Sequence, residues 1–206
     1  MGVKERREKE KEALRNAILD AANEIFIQDG YKDTTIRKIA KRIEYNPATI
    51  YFYYKNKEEV FMALQERAFN AFHQSIFEAT QNVADPKDRI TKMGRAYINF
   101  ALKNPSLYDL MFILKQPMNA MEEGEKWHKG ELSYDTLKVT VQACMDAGYL
   151  KKGDLDAMSY MIWSAMHGMV SLPICKRMKM FDETDLDFLI RDTYQQFNTM
   201  LFSMQP

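Results

Sequence analysis

The stretch Thr34-Thr35-Ile36-Arg37-Lys38-Ile39-Ala40-Lys41-Arg42-Ile43-Glu44-Tyr45-Asn46-Pro47-Ala48-Thr49-Ile50-Tyr51-Phe52-Tyr53-Tyr54 decides how this chain folds. Ile36, Ile39, Ala40 and Ile43 recur at helical spacing and make one apolar face. Arg37, Lys38, Lys41 and Arg42 occupy the other faces. A tight turn follows, and Asn46-Pro47 restarts a helix. The Asn46 side-chain oxygen can accept from an orphan backbone N–H, and Pro47 suits a first helical position because its missing N–H has no partner there anyway. Two short helices joined by a tight turn are helix-turn-helix grammar, and the second is the size of element that enters a DNA major groove.

Outward from this stretch the chain reads as helix almost throughout, an all-α fold of about nine helices. Arg6 to Gln28 is the first, with Leu14, Ala17, Ile18, Ala21 and Ile25 on one face. Its charged opening turns are expected to fray, and Gly30 to stop it. Asn56 caps a long helix from Lys57 into the seventies, with Val60, Phe61, Leu64, Ala68, Ala71 and Phe72 as its apolar face. Asp85-Pro86 opens another to about Lys103, and Asn104-Pro105 a short one through Leu110 and Phe112. Residues 115–130, with Pro117, Gly124 and Gly130, read as loop broken at most by one helical turn. Three more helices are expected: about Leu132 to Gly148, Asp154 towards Pro173, and Asp182–Thr184 to about Ser203. The pattern contains no strand, repeat or membrane-length apolar run.

Charge is balanced overall at 29 Lys and Arg against 29 Asp and Glu, but not evenly distributed. Residues 1–57 hold 13 of those cations and only 9 of the anions. A basic head on an acidic body fits a DNA reader whose remainder should not stick to DNA. The segment Met1–Lys11 is charged with no apolar core behind it, unlike a secretory signal. Cys144 and Cys175 have no metal-ligand neighbours and read as reduced thiols, which points to the cytoplasm and to no bound metal.

The segment from about residue 14 to 64 resembles the DNA-binding domain of TetR-type transcriptional regulators. The resemblance is carried by Ile18-Leu19-Asp20-Ala21-Ala22, Phe26, Gly30-Tyr31, Thr34-Thr35, Ile39-Ala40, Thr49-Ile50-Tyr51, Tyr54 and Lys57-Glu58. Trp163-Ser164-Ala165-Met166-His167-Gly168 is similar to the Trp-x-x-x-His-Gly signature of one C-terminal group of that family. One departure stands out: the family usually has a small residue and then Gly in the turn, where this chain has Ile43-Glu44. Either Glu44 bears left-handed backbone strain of about 1 kcal/mol or the turn differs.

The resemblance implies a three-helix DNA-binding domain over residues 1–56 and a helical ligand-binding and dimerisation domain over 57–206. It implies DNA contacts at Thr35, Arg37, Pro47, Ala48, Thr49, Tyr51, Phe52 and Lys57. Thr49 and Tyr51 would bind phosphate through their hydroxyls, and Lys57 through its ammonium at a helix start. Arg37 would meet phosphate or a base edge, and Ala48 or Phe52 a thymine methyl. Tyr54 matches a core aromatic. In the body, the resemblance implies an inducer cavity, with Tyr97, Phe112, Trp163 and His167 as candidate lining for a largely apolar small molecule. Met161, Ala165, Met169, Leu172, Leu186, Leu189, Ile190, Phe197, Met200 and Leu201 offer the last two helices as a homodimer interface to match a palindromic operator.

The implied function is sequence-specific transcriptional regulation, a repressor released from its operator by ligand. An enzyme is disfavoured: there is no Gly-rich phosphate loop, no metal spacing, and only the scattered His73, His128 and His167. No cofactor is expected. A non-specific nucleoid protein would need far more positive charge. A sensor of the same fold with weak or no sequence-specific DNA binding is the alternative.

Overall fold

The computed structural model describes residues 2–115 and 128–203. Among the described residues there are nine α-helices, one π-helical turn and no strand. Pro117 and Gly124 of the expected loop, and Trp127, lie outside them. No helix among the described residues is long and apolar enough to cross a membrane. The chain divides into two units, residues 2–68 with 109–115 and residues 69–108 with 128–203.

The first unit is built on α1 (Val3–Asp33), α2 (Ile36–Arg42), α3 (Pro47–Tyr51) and the beginning of α4 (Lys57–Thr80). α1 starts ahead of the expected Arg6 because i,i+4 and i,i+3 charge pairs support its exposed turns, Arg6 with Glu10 at 2.8 Å and Arg15 with Glu12 at 3.9 Å. Gly30 interrupts it at φ 79°, a conformation closed to most side chains. Buried Thr34 closes this break, its hydroxyl donating to the Gly30 carbonyl at 2.8 Å. Thr35 then caps α2 by accepting from the Lys38 N–H at 3.2 Å.

Ile18, Ala22, Ile39, Ala40, Ile50, Val60 and Phe61 are essentially inaccessible to water and join four helices in one core. Complete burial of such side chains contributes roughly 1.5–3 kcal/mol each for the larger ones. Phe61 meets Phe26 and Tyr31 edge-on, with centroids 5.4 and 4.6 Å apart. Leu110 is also in this core. It comes from the π-turn Asp109–Ile113, where the expected helix through Phe112 gives way after Tyr108. The Leu114 N–H bonds back to the Asp109 carbonyl at 2.8 Å, and the buried amide of Gln65 donates to the Leu110 carbonyl at 3.0 Å. The wider turn is thus stabilised by a side chain distant in sequence.

The turn between α2 and α3 resolves the question raised by Glu44. The Tyr45 N–H reaches the Ala40 carbonyl at 2.9 Å and the Glu44 N–H the Lys41 carbonyl at 3.3 Å, the paired bonds of a Schellman cap. Glu44 sits at φ 59°, where the motif needs a left-handed residue. The turn geometry is therefore kept and the side chain bears the strain. α7 and α8 end the same way, at Gly148 and at Lys176.

The second unit contains α4 from Phe69, α5 (Pro86–Lys103), α6 (Pro105–Tyr108), α7 (His128–Asp146), α8 (Leu155–Ile174) and α9 (Glu183–Ser203). α7 begins before the expected Leu132 and takes in buried Gly130. Asp85 caps α5 and also accepts from the Tyr149 hydroxyl at 2.7 Å, while Asp154 caps α8. Ile90, Val141, Cys144, Leu150, Ile162 and Leu201 fill the core. Both cysteines are free thiols, and burial pushes Cys144 up to about 11. Gly94 in α5 lies under Tyr194 of α9, whose hydroxyl donates to the Thr91 carbonyl.

Glu44→Gly relieves the left-handed strain. Net of the larger unfolded-state entropy of glycine, it is expected to raise stability by about 0.5–1 kcal/mol in denaturant melts, whereas Glu44→Ala gains nothing. Gly94→Ala would place a Cβ 2.6 Å from the Tyr194 hydroxyl oxygen and 3.0 Å from its ring. It is expected to cost about 1–3 kcal/mol by the same measurement, because the ring must leave its hydrogen bond to make room.

Candidate functional site

Asn46 caps α3 by accepting from the Ala48 N–H at 2.9 Å, and Pro47 fills its first position. With Ile50 wholly buried as the anchor, helical geometry turns the neighbouring positions outward. Tyr51 is 55% exposed and Phe52 77% exposed. Ala48 is exposed, and Pro47 and Thr49 are half-buried. None of the residues expected to face DNA from this helix is sealed inside the protein. Tyr53 and Tyr54 pack partly against the core.

The four basic residues of α2 divide into two pairs. Lys38 and Arg42, one helical turn apart, reach back to α1: Lys38 to Asp29 at 2.8 Å, and Arg42 to Glu24 at 2.6 Å and Gln28 at 3.3 Å. Arg37 and Lys41, also one turn apart, are exposed and form no ion pair among the described residues. Thr35 is exposed beside them at the helix start. The sequence reading singled out Thr35 and Arg37 but not Lys41 or Tyr45, which is 49% exposed at the turn. Spacing relative to Arg37 could have found Lys41. For Tyr45 the pattern carried no signal.

Lys57 is placed differently from a simple outward cation. Its ammonium donates to the Tyr31 carbonyl at 2.9 Å and lies 4.0 Å from the centre of the Tyr31 ring. The Tyr31 hydroxyl in turn donates to Glu58 at 3.1 Å, and burial followed by the Glu58 charge pushes its pKa up to about 12. Asn56 caps α4 through the Glu59 N–H, and Glu59 accepts from the Lys55 N–H at 2.7 Å. The first turn of α4 is thereby tied to the end of α1.

In the second unit Tyr97, Trp163 and His167 come together. Tyr97 is buried, with its hydroxyl 3.2 Å from that of Tyr108, and the Trp163 ring lies 6.0 Å from that of His167. The Tyr108 oxygen lies 2.5 Å from His167 Nδ1. Phe72 meets Tyr97 and Phe100 edge-on, and Tyr134 meets Trp163. Burial raises the pKa of both tyrosines, Tyr97 to about 12, and lowers that of His167. Phe112 lies on the π-turn, in the first unit. Tyr108 was missed as a member because its spacing marks only a helix face.

Met161 and Leu172 of α8 and Met200 of α9 are exposed, as an interface requires, and so is Phe188 at 69%, which sequence reading overlooked. Ile190 and Leu201 are corrections: at 5% and 2% exposure they are spent on the protomer's own core. Among the described residues no group of His, Cys, Asp and Glu could hold a metal ion.

Residues 18–64 match the family model described as bacterial regulatory proteins of the tetR family, and residues 90–192 match a tetracyclin repressor-like C-terminal domain. The chain is 33% identical over 73 residues to the fatty acid metabolism regulator protein of Bacillus subtilis, covering 35% of this chain and 38% of that one. It is 23% identical over 105 residues to the HTH-type transcriptional repressor NicS of Pseudomonas putida, covering 51% and 50%. The chain thus spans half or less of the length of these curated relatives. Among solved structures, the fatty acid degradation regulator FadR from Bacillus halodurans superposes with a TM-score of 0.69 at 18% identity, over 89% of this chain and 97% of that one. That likeness shows the fold. The relatives carry the names of transcriptional regulators, not of enzymes. Two matched domains in the expected order, one of them half the chain, make this protein a member of the TetR family of helix-turn-helix transcriptional regulators.

Proposed function

We propose that the protein is a homodimeric repressor that leaves a palindromic operator when a small, largely apolar molecule binds its C-terminal domain. Residues 1–56 would serve DNA and residues 57–206 ligand and dimerisation. The observation that carries this reading is the outward face of α3, with Ala48, Tyr51 and Phe52 exposed beside the unpaired cations Arg37 and Lys41 of α2. Thr35, Thr49, Tyr51, Arg37 and Lys41 would hold phosphates, and Pro47, Ala48 and Phe52 would present an apolar surface to base edges, where a thymine methyl fits. Few long polar side chains face outward from α3, so DNA shape would add to the readout. Lys57, engaged with Tyr31, would offer phosphate the backbone at the α4 start while its ammonium holds the scaffold.

For the ligand, the support is the aromatic cluster of buried Tyr97 and Tyr108 with half-buried Trp163 and His167, together with relatives named as fatty acid regulators. For the dimer, it is the exposed apolar side chains Met161, Leu172, Phe188 and Met200 on α8 and α9. Ligand would favour a body conformation in which α4 swings and the two heads no longer match the half-site spacing.

Gel shifts on the operator test the DNA face. Tyr51→Phe removes one charge-assisted hydrogen bond per half-site and is expected to weaken binding at least about tenfold on every sequence. Lys41→Ala should lower the slope of log affinity against log salt by about 2 for the dimer, while Lys38→Ala leaves it nearly unchanged. Equal effects from the two lysines would contradict the assigned face. Sedimentation at micromolar concentration should give a dimer, and a monomer there would refute the interface.

A further inference from the structure

α1 begins well ahead of the core it serves. Leu14 is the first of its residues to pack against that core, and Val3–Ala13 are exposed apart from half-buried Lys11. Lys4, Arg7, Lys11 and Arg15 follow one another three or four residues apart, so they share one side of the helix. The same spacing runs on into Ile18, Ala22 and Ile25, the side that α1 buries. Towards the N-terminus, the buried side of α1 thus continues as a stripe of cations.

Two ring contacts show which surface the stripe adjoins. The Arg15 guanidinium lies over Tyr53, 5.9 Å from the centre of its ring. Tyr53 meets Phe52 edge-on at 5.4 Å, and Phe52 is 77% exposed at the end of α3. The stripe therefore starts where the outward face of α3 ends. The acids of α1 do not neutralise it. Glu10 is engaged with Arg6 at 2.8 Å, away from the stripe, and Glu12 reaches Arg15 only at 3.9 Å. Glu8 stands at its edge, and among the described residues the side chains of Lys4, Arg7 and Lys11 form no ion pair or hydrogen bond.

From this placement we infer that the amino-terminal turns of α1 are a second DNA-contacting element, in which Lys4, Arg7 and Lys11 bind phosphates of the duplex beside those held from α2 and α3. The inference rests on the reading that the outward face of α3 meets DNA. Duplex DNA carries one negative charge per about 1.7 Å of its axis, and each phosphate that a cation neutralises releases condensed counterions. At about 1.5 Å per residue the row from Lys4 to Arg15 spans roughly 16 Å, the axial length of about five phosphates of one strand. The helix is formed before DNA arrives, so the cost of ordering falls on side chains and not on backbone. Phosphate contacts carry no sequence information. The stripe accordingly adds affinity and leaves the choice of operator to α3.

The test is an anisotropy titration of the full chain across a salt series, on the operator recovered by selection from random DNA and on a scrambled duplex of equal length. The triple variant Lys4→Gln, Arg7→Gln, Lys11→Gln should lower the slope of log affinity against log salt by about 5 for the dimer, at about 0.9 for each lost phosphate contact. It should weaken both duplexes by the same factor, at least about tenfold at physiological salt, and leave their ratio unchanged. Glutamine keeps a good helix propensity, and an unchanged melting temperature separates lost binding from lost folding. Arg7→Gln alone should lower the slope by about 2, whereas Arg6→Gln should leave it nearly unchanged. Arg6→Gln lowering the slope as much as Arg7→Gln would overturn the inference, because the effect would then be one of net charge and not of this side of the helix. A triple variant with the wild-type slope, where Lys41→Ala lowers it, would overturn the inference and leave the DNA face of α3 standing. Failure of the wild type to bind either duplex would overturn the reading of that face, and the inference with it.

Discussion

The DNA-facing part of this regulator depends on the packing of Phe61 edge-on against Phe26 and Tyr31. Phe61 is wholly buried one turn into α4, and the two rings it meets come from α1 on either side of its break at Gly30. The same Tyr31 has its carbonyl and ring engaged by the Lys57 ammonium and its hydroxyl on Glu58. Apolar burial supplies most of the free energy, and the polar contacts fix the angle at which α4 leaves. Without that arrangement α2 and α3, of seven and five residues, would be too short to hold helical structure by themselves.

On this frame the surface of α2 is divided by its acidic neighbours on α1. Ion pairs as exposed as Lys38–Asp29 and Arg42–Glu24 stabilise little. Their consequence is positional: two cations are drawn towards α1, and Arg37 and Lys41 are left to face outward. The strained turn at Glu44 works in the same spirit. The Schellman hydrogen bonds and the burial of Ile39 and Ile50 on either side are strong enough to hold a non-glycine residue at positive φ, so the angle between α2 and α3 survives an unfavourable residue.

The second unit shows a different balance. Its core is apolar at Ile90, Val141, Leu150 and Ile162, yet beside it Tyr97, Tyr108 and His167 are joined by hydrogen bonds, with the Trp163 ring against His167. A polar chain that crosses from one helix to the next in this way ties them together more specifically than apolar packing does.

The sequence by itself determined the helices, their caps and the helix-turn-helix. Those features follow from local rules: apolar periodicity, Asn46 and Asp85 as caps, Gly30 and Gly148 as stops. The outward roles of Tyr51 and Phe52 came from the family resemblance rather than from a local rule, and both side chains are exposed beside wholly buried Ile50. Tertiary structure decided what local rules do not reach. Which lysine of α2 is free depends on acids of α1 between 9 and 18 residues away. The π-turn after Tyr108 depends on Gln65, 45 residues earlier. Tyr97, Tyr108 and His167 share one hydrogen-bonded chain across three helices, while Phe112, only four residues past Tyr108, belongs to the other unit. Each of these is a contact between elements, and a helical repeat records which side of a helix is buried but not what it is buried against.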